Sequence, residues 1–295
     1  MILSIGEILV DMIGGKDDTF QMFIGGAPFN VAVNAKQSGA KCAFIGRIGK
    51  DVAGNFISKA ATNYKLDIIR LQRDDIRNTT LAFVALDDNG ERYFTFFRHD
   101  TADFNLDVKD IDFDKFNDLN IVHLGSLMLS EKAGREFAAA IVEKIKNDKR
   151  IFSFDVNFRY DLYKTKEDAN KAYKWFIERA DILKFSDDEI LDYTGEKDLQ
   201  KAIKKLNHKG LLLITLGNRG SMFCLNGESA TVETVKVKPL DTTGAGDAFY
   251  GALLAKIDEV GYENLNRDNM TEATRFANAK GAKATLHKGA VSIEG

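Results

Sequence analysis

Residues 121–184 read IVHLGSLMLSEKAGREFAAAIVEKIKNDKRIFSFDVNFRYDLYKTKEDANKAYKWFIERADILK. Three short, largely apolar runs, Ile121 to Leu124, Ile151 to Phe154 and Ile182 to Lys184, alternate with two longer segments. In those segments, Ala133 to Ile145 and Ala169 to Ile177, apolar residues recur every three or four positions, the period of a helix with one buried face. Strands that stay apolar on both sides, joined by such helices, form right-handed crossover units on a parallel sheet covered on both faces. The rhythm continues outward, with Ile2 to Ile5 and Cys42 to Ile45 before it and Leu211 to Leu216 after it. The expected fold is therefore a single α/β domain spanning 1–295, with a mostly parallel central sheet flanked by helices.

One region departs from this rhythm. Thr80 to Leu86 and Arg92 to Arg98 are β-prone and flank Asn89-Gly90, a strong hairpin-turn signal. Asp11 to Phe23 also lacks a helical period. Together they predict a small β-sheet lid, formed by about 12–24 and 79–103, over the carboxyl ends of the parallel strands.

Composition excludes several classes of function. A net charge of −3 gives no general attraction to nucleic acid or anionic lipid. No apolar run approaches the length of a membrane span, and Glu7 and Asp11 interrupt the apolar amino-terminal stretch, which reads as a core strand. Cys42 and Cys224 are far apart and show no metal-ligand spacing, as expected for a protein of the reducing cytoplasm. The four histidines show no paired spacing either.

Chemistry concentrates in two glycine-rich stretches. Asp241-Thr242-Thr243-Gly244-Ala245-Gly246-Asp247 precedes the helical pattern Ala248 to Ile257. Its glycines let backbone N–H groups face an anion, the helix adds its positive end, and Asp247 lies beside this cradle. Phosphoryl transfer needs that pairing of a base with donors for the transferred group. Spacing alone fits equally well a turn whose Asp stabilises the first helical turn. No Lys-Ser/Thr follows, so this is not a Walker A loop. Gly25-Gly26-Ala27-Pro28-Phe29-Asn30 opens a helix of small residues, and Asn30 can donate to and accept from a sugar hydroxyl, or act as a cap.

In that order on an α/β background, the two stretches resemble the paired signatures of the ribokinase-like (PfkB) carbohydrate kinases, and the resemblance runs over essentially the whole chain. It implies a ribokinase-like fold and a kinase in which Asp247 is the base and the amides of Gly244, Ala245 and Gly246 form an anion hole. Asp11, Gly26 and Asn30 resemble the family's sugar ligands. Arg98, in the lid-like segment GERYFTFFRHDTADFNL, and Arg159, in Asp155-Val156-Asn157-Phe158-Arg159, resemble further sugar contacts. Lys184 and Ser186 resemble a nucleotide element in which many relatives carry Asn at the position of Ser186, and Glu189 resembles its water-mediated magnesium ligand. Thr215, Gly217 and Gly220 resemble a nucleotide-phosphate loop, and Asn278 and Gly281 an adenine-side helix.

The resemblance also implies ATP and Mg²⁺, and a possible K⁺ near Asp241 and Thr243 with the Ala284 to Ser292 turn. The lid segment is most similar to fructokinases. D-Fructose to fructose 6-phosphate is the expected reaction, with a 2-keto-3-deoxygluconate kinase, or a non-catalytic sugar-binding regulator, as alternatives. A homodimer through the lid is compatible with its aromatic run Phe94, Phe96 and Phe97. No nucleic-acid or membrane partner is expected.

Overall fold

A computed structural model describes residues 1–14, 19–86 and 92–291. The first strand, β1 (Ile2–Ile5), is followed by β2 (Leu9–Gly14), β3 (Phe20–Gly25), helix α1 (Ala27–Gln37), β4 (Cys42–Gly49) and α2 (Val52–Ala60). Then come β5 (Ile68–Asp74), β6 (Leu81–Leu86), β7 (Arg92–Phe97), β8 (Ile121–Leu124), α3 (Lys132–Asn147), β9 (Ile151–Asp155) and α4 (Lys166–Ile177). The carboxyl-terminal half adds β10 (Ile182–Ser186), α5 (Asp187–Thr194), α6 (Leu199–Leu206), β11 (Leu211–Thr215), β12 (Ser221–Leu225) and β13 (Glu228–Val232). Two long helices, α7 (Ala245–Val260) and α8 (Arg267–Ala284), end the described fold.

The main sheet has nine strands in the order β13-β12-β11-β10-β9-β8-β1-β4-β5. From β11 to β5 every neighbour pair is parallel, and β12 and β13 add an antiparallel edge. Successive strand residues point to opposite faces. Leu3, Val122, Phe152, Leu183 and Leu212 therefore enter one core with α3 and α4, while Ile2, Ile121, Ile182 and Leu211 enter another with α1, α7 and α8. Burial on both faces explains why these strands read as apolar runs.

Three strands escaped the sequence pattern. β5 is an edge strand whose IIRLQRD sequence mixes charge with apolar residues. The turn between β12 and β13 is Asn226-Gly227, with φ of 52° and 83°, so a hairpin signal was present in the sequence. Leu216 lies beyond β11 and begins a turn.

The second sheet has four strands, in the order β3-β2-β6-β7. Asp11, Ala82 and Phe96 stand in register across it, so they share a face. The expected Asn89-Gly90 turn lies outside the described residues, as does Ser292. Past the end of β7, Arg98, Thr101, Ala102 and Asp103 are all buried.

Candidate active site

The amino terminus of α7 sits where two cavities meet. Gly244 caps it with φ 76°, and a Cβ there would lie 2.3 Å from the Ala290 carbonyl oxygen. Only glycine fits, both for the dihedral and for the close approach. The first N–H groups of a helix lack intrahelical partners and face outward from its start. Here the Ala245 amide makes a long 3.3 Å bond to the Thr242 carbonyl. Gly246 lines both cavities, and a Cβ there would meet nothing nearer than Lys184 Nζ, 3.8 Å away.

The smaller cavity, about 220 Å³, is walled by Glu7, Asp11, Gly26, Asn30, Arg159 and Asp247, with Asp155, Lys184 and Phe96 among its other residues. Helix α1 approaches α7 closely, since a Cβ at Gly251 would lie 2.5 Å from the Val31 carbonyl oxygen. That contact brings Asn30 to Asp247, and Asn30 Nδ2 donates to Asp247 Oδ2 at 2.8 Å. Asn30 Oδ1 is buried without a protein partner, which leaves an acceptor for a ligand hydroxyl. Burial raises the Asp247 carboxyl to about 6; the Asn30 bond opposes the shift, Asp155 adds to it, and Lys184 and Arg159 oppose it.

Beneath the cradle, Lys184 Nζ donates to both oxygens of Asp155 at 2.8 Å. Burial works against the ammonium, but Asp155 and Glu189 outweigh it and hold its pKa above the ordinary lysine value. Lys184 lines the smaller cavity rather than the larger one expected to hold nucleotide, and its charge lies under the seam.

Glu189 is tied into the backbone. Ser186 Oγ accepts from the Glu189 amide at 3.2 Å, and Glu189 Oε2 accepts from the Ser186 amide at 2.7 Å, a reciprocal cap on α5. Its Oε1 accepts from the Phe158 amide at 2.8 Å, fixing the turn that carries Asn157 and Arg159. Any role toward a metal would use its remaining lone pairs through water.

The larger cavity, about 680 Å³, contains Ser186, Thr215, Gly217, Gly220, Asn278 and Gly281, as expected for the nucleotide. Its volume suits a nucleotide-sized ligand. The chain from 233 to 244, which has no regular structure, adds Val235, Val237 and Pro239 to the wall; no sequence signal marked these. Asn278 is largely committed within the protein: Oδ1 accepts from Ser221 Oγ at 2.8 Å, and Nδ2 donates to the Val232 carbonyl at 2.8 Å.

Asp241 joins the Thr243 and Gly289 amides, through Oδ1 at 2.9 Å and Oδ2 at 2.8 Å. The backbone segments expected near a potassium ion are thus held together by a carboxylate. Among the described residues no three His, Cys, Asp or Glu side chains gather as a metal cage.

Arg98 is not among the residues that line the sugar-sized cavity. Its Nε donates to Asp103 Oδ2 at 2.9 Å and Nη1 to Ser130 Oγ at 2.6 Å, and the guanidinium lies over the Phe104 ring. Asp103 in turn accepts from Thr80 and Thr101. The lid-segment pattern therefore encodes a buried polar network. Glu7, Leu9, Phe96 and Leu127, absent from the expected site, do line the cavity.

Among the described residues, no helix is long and apolar enough to cross a membrane. The chain matches the pfkB family of carbohydrate kinases over residues 1–294. It is 33% identical to probable fructokinase-2 of Arabidopsis thaliana over 301 residues, covering 99% of this chain and 92% of the relative. A double-mutant fructokinase of Vibrio cholerae, solved with fructose, ADP and potassium ion, superposes with a TM-score of 0.89 at 31% identity, covering 98% of this chain and 93% of that one. The ATP-bound fructokinase of Xylella fastidiosa gives 0.89 at 29% identity, with 98% and 93% covered.

Proposed function

The chain belongs to the pfkB family of carbohydrate kinases, and on that footing we propose that it transfers the γ-phosphoryl group of ATP to the primary hydroxyl of D-fructose, yielding fructose 6-phosphate. The observation that carries this reading is the position of Asp247. Its carboxylate faces a sugar-sized cavity, while the start of its own helix faces a nucleotide-sized one.

Fructose in the smaller cavity would present only hydroxyls, which Asp11 and Asn30 Oδ1 can accept from. The hydroxyl proton passes to Asp247 as the oxygen forms the new bond to the γ-phosphorus. The bond from that phosphorus to its bridging oxygen breaks, and its electrons leave on ADP. Negative charge on the transferring group is met by the amides at Gly244 to Gly246 and by the Lys184 ammonium. A carboxyl titrating about pH 6 is ionised at neutral pH yet basic enough to take the proton. Magnesium, held by the nucleotide phosphates and reached by Glu189 through water, would neutralise phosphate charge. A potassium ion among the carbonyls near Asp241 and Thr243 would hold the cradle's shape.

The four-stranded sheet, with Asp11 and Phe96 on its cavity face, is suited to act as a lid. Phe20, Phe83 and Phe97 form an aromatic row on its other face, with Phe20 47% and Phe97 59% exposed, a surface suited to a homodimer through the lid.

Steady-state turnover with saturating ATP and magnesium, over fructose, 2-keto-3-deoxygluconate, ribose and glucose, tests the reading. Fructose is expected to have the highest kcat/KM. A preference for the carboxylated sugar would instead mean that Arg159, the guanidinium on the cavity wall, recognises that carboxylate.

A further inference from the structure

Glu7 lies in the short link between β1 and β2, on the wall of the smaller cavity, and is 2% exposed. Its carboxyl occupies space that glycine leaves open: a Cβ at Gly125 would lie 2.6 Å from Glu7 Oε2. On the other side, a Cβ at Gly26 would lie 2.4 Å from the Glu7 carbonyl oxygen. Glu7 is therefore packed closely against a glycine at both its carboxyl and its backbone. Yet Oε2 is buried without a hydrogen-bond partner. Neighbouring carboxyls of the same cavity are engaged, Asp247 with Asn30 and Asp155 with Lys184.

A buried polar atom left unpaired is costly and uncommon in a native protein, and at the wall of a ligand cavity it points to a partner that arrives with the ligand. The charge state follows from the surroundings. Burial raises the Glu7 carboxyl to about 8, and Asp103 and Asp247 act in the same direction, against its own backbone amide and Arg98. Tyr173, from α4, also feels its charge. At neutral pH the group is a carboxylic acid, and so a donor. The wall carries acceptors in Asp11, Asp155, Asp247 and Asn30 Oδ1, and donors in Asn157, Arg159 and Lys184. A sugar hydroxyl both donates and accepts, so a donor at Glu7 adds to those on the Asn157, Arg159 and Lys184 side chains.

We propose that Glu7 is a sugar-recognition residue that works as the neutral acid, donating a hydrogen bond to an oxygen of the bound sugar. The inference rests on the sugar-kinase reading. It gives the site a specificity-determining group that loses its donor when it ionises.

The test uses the full-length enzyme and the sugar it turns over best in the panel above; absence of turnover on every sugar by the wild type would overturn both this inference and the kinase reading. Sugar KM, ATP KM and kcat are measured between about pH 6 and about pH 9.5 for wild type, Glu7→Gln and Glu7→Ala. For the wild type, sugar KM should rise above about pH 8, approaching tenfold per pH unit, with ATP KM nearly constant. Glu7→Gln keeps a donor of the same shape, so sugar KM at neutral pH should stay within about threefold of wild type while the alkaline rise disappears. Glu7→Ala should raise sugar KM by about 10- to 100-fold. The proposal is overturned, with the kinase assignment intact, if wild-type sugar KM is flat across the range or if Glu7→Gln retains the alkaline rise. It is also overturned if sugar and ATP KM shift together in a folded Glu7→Ala. Should that variant not fold, the Glu7→Gln pH profile still decides.

Discussion

Asp247 shows how a single residue can be tuned by what surrounds it. Its carboxyl is raised first by burial, so kcat/KM should fall as pH drops through about 6, where the proposed base would take up its proton. Asp247→Ala should lower kcat by about 10²–10⁴-fold while sugar and ATP affinity change far less, measured by steady-state kinetics and by calorimetric binding. The same shift bears on stability. A carboxyl whose folded pKa lies above its unfolded value contributes stability below the unfolded value, and loses it as pH rises through the folded one. Asp247→Asn should therefore raise Tm more at pH 8 than at pH 4, the opposite of the result for an ordinary ion-paired carboxylate. Arg98 belongs to the other kind of residue, one paired inside the protein with Asp103 and Ser130. Removing one partner of a buried pair leaves the other charge uncompensated. Arg98→Ala should destabilise the fold by about 3–5 kcal/mol in denaturant titration, and any change in sugar KM would follow from displacement of the Asp103 network.

Two glycines two positions apart at the start of α7 serve different purposes, and substitutions separate them. A methyl at Gly244 would collide with the Ala290 backbone and force a left-handed dihedral on alanine. Gly244→Ala should therefore lower both Tm and activity. At Gly246 the space is open, and alanine is the better helix former by about 1 kcal/mol. Gly246→Ala should fold at least as well as wild type, judged by Tm, yet lose kcat, because its methyl projects into the seam where the transferring group would lie. Stability and catalysis would thus move in opposite directions at one helical terminus, which a purely structural turn would not produce.

At the scale of the whole molecule, the two sheets divide the labour. The nine-stranded sheet brings Asp155, Lys184 and Ser186 to the carboxyl ends of adjacent strands, beside the start of α7. The four-stranded sheet brings Asp11 and Phe96 to the same cavity from the other side. Its outer aromatic row sets the prediction at this scale. If copies meet through that face, Phe97→Glu should shift the protein to monomer in sedimentation equilibrium, with the far-ultraviolet circular dichroism unchanged. A protein that is monomeric before substitution would remove the idea.

The alternation of strand and helix was legible because hydrophobic period is a local property, set by which backbone geometry repeats every two or every 3.6 residues. The glycine-rich stretch Gly244 to Asp247 was legible for the same reason: its residues follow one another in the sequence, and a helix begins there. Which polar atoms around them are paired within the protein was not legible. Asn30 reaches Asp247 across 217 positions, through a helix crossing that depends on Gly251. Arg98 and Asn278 carry family-like patterns, yet their hydrogen bonds are taken up by Asp103, Ser130, Ser221 and Val232. Glu7 looked only like an interruption in a core strand, and packing against Gly125 left its Oε2 unpaired on the cavity wall. Residue type sets which polar atoms a chain possesses. Tertiary packing decides which of them the protein satisfies itself and which remain for a ligand, because that depends on distances between segments that the linear order does not contain.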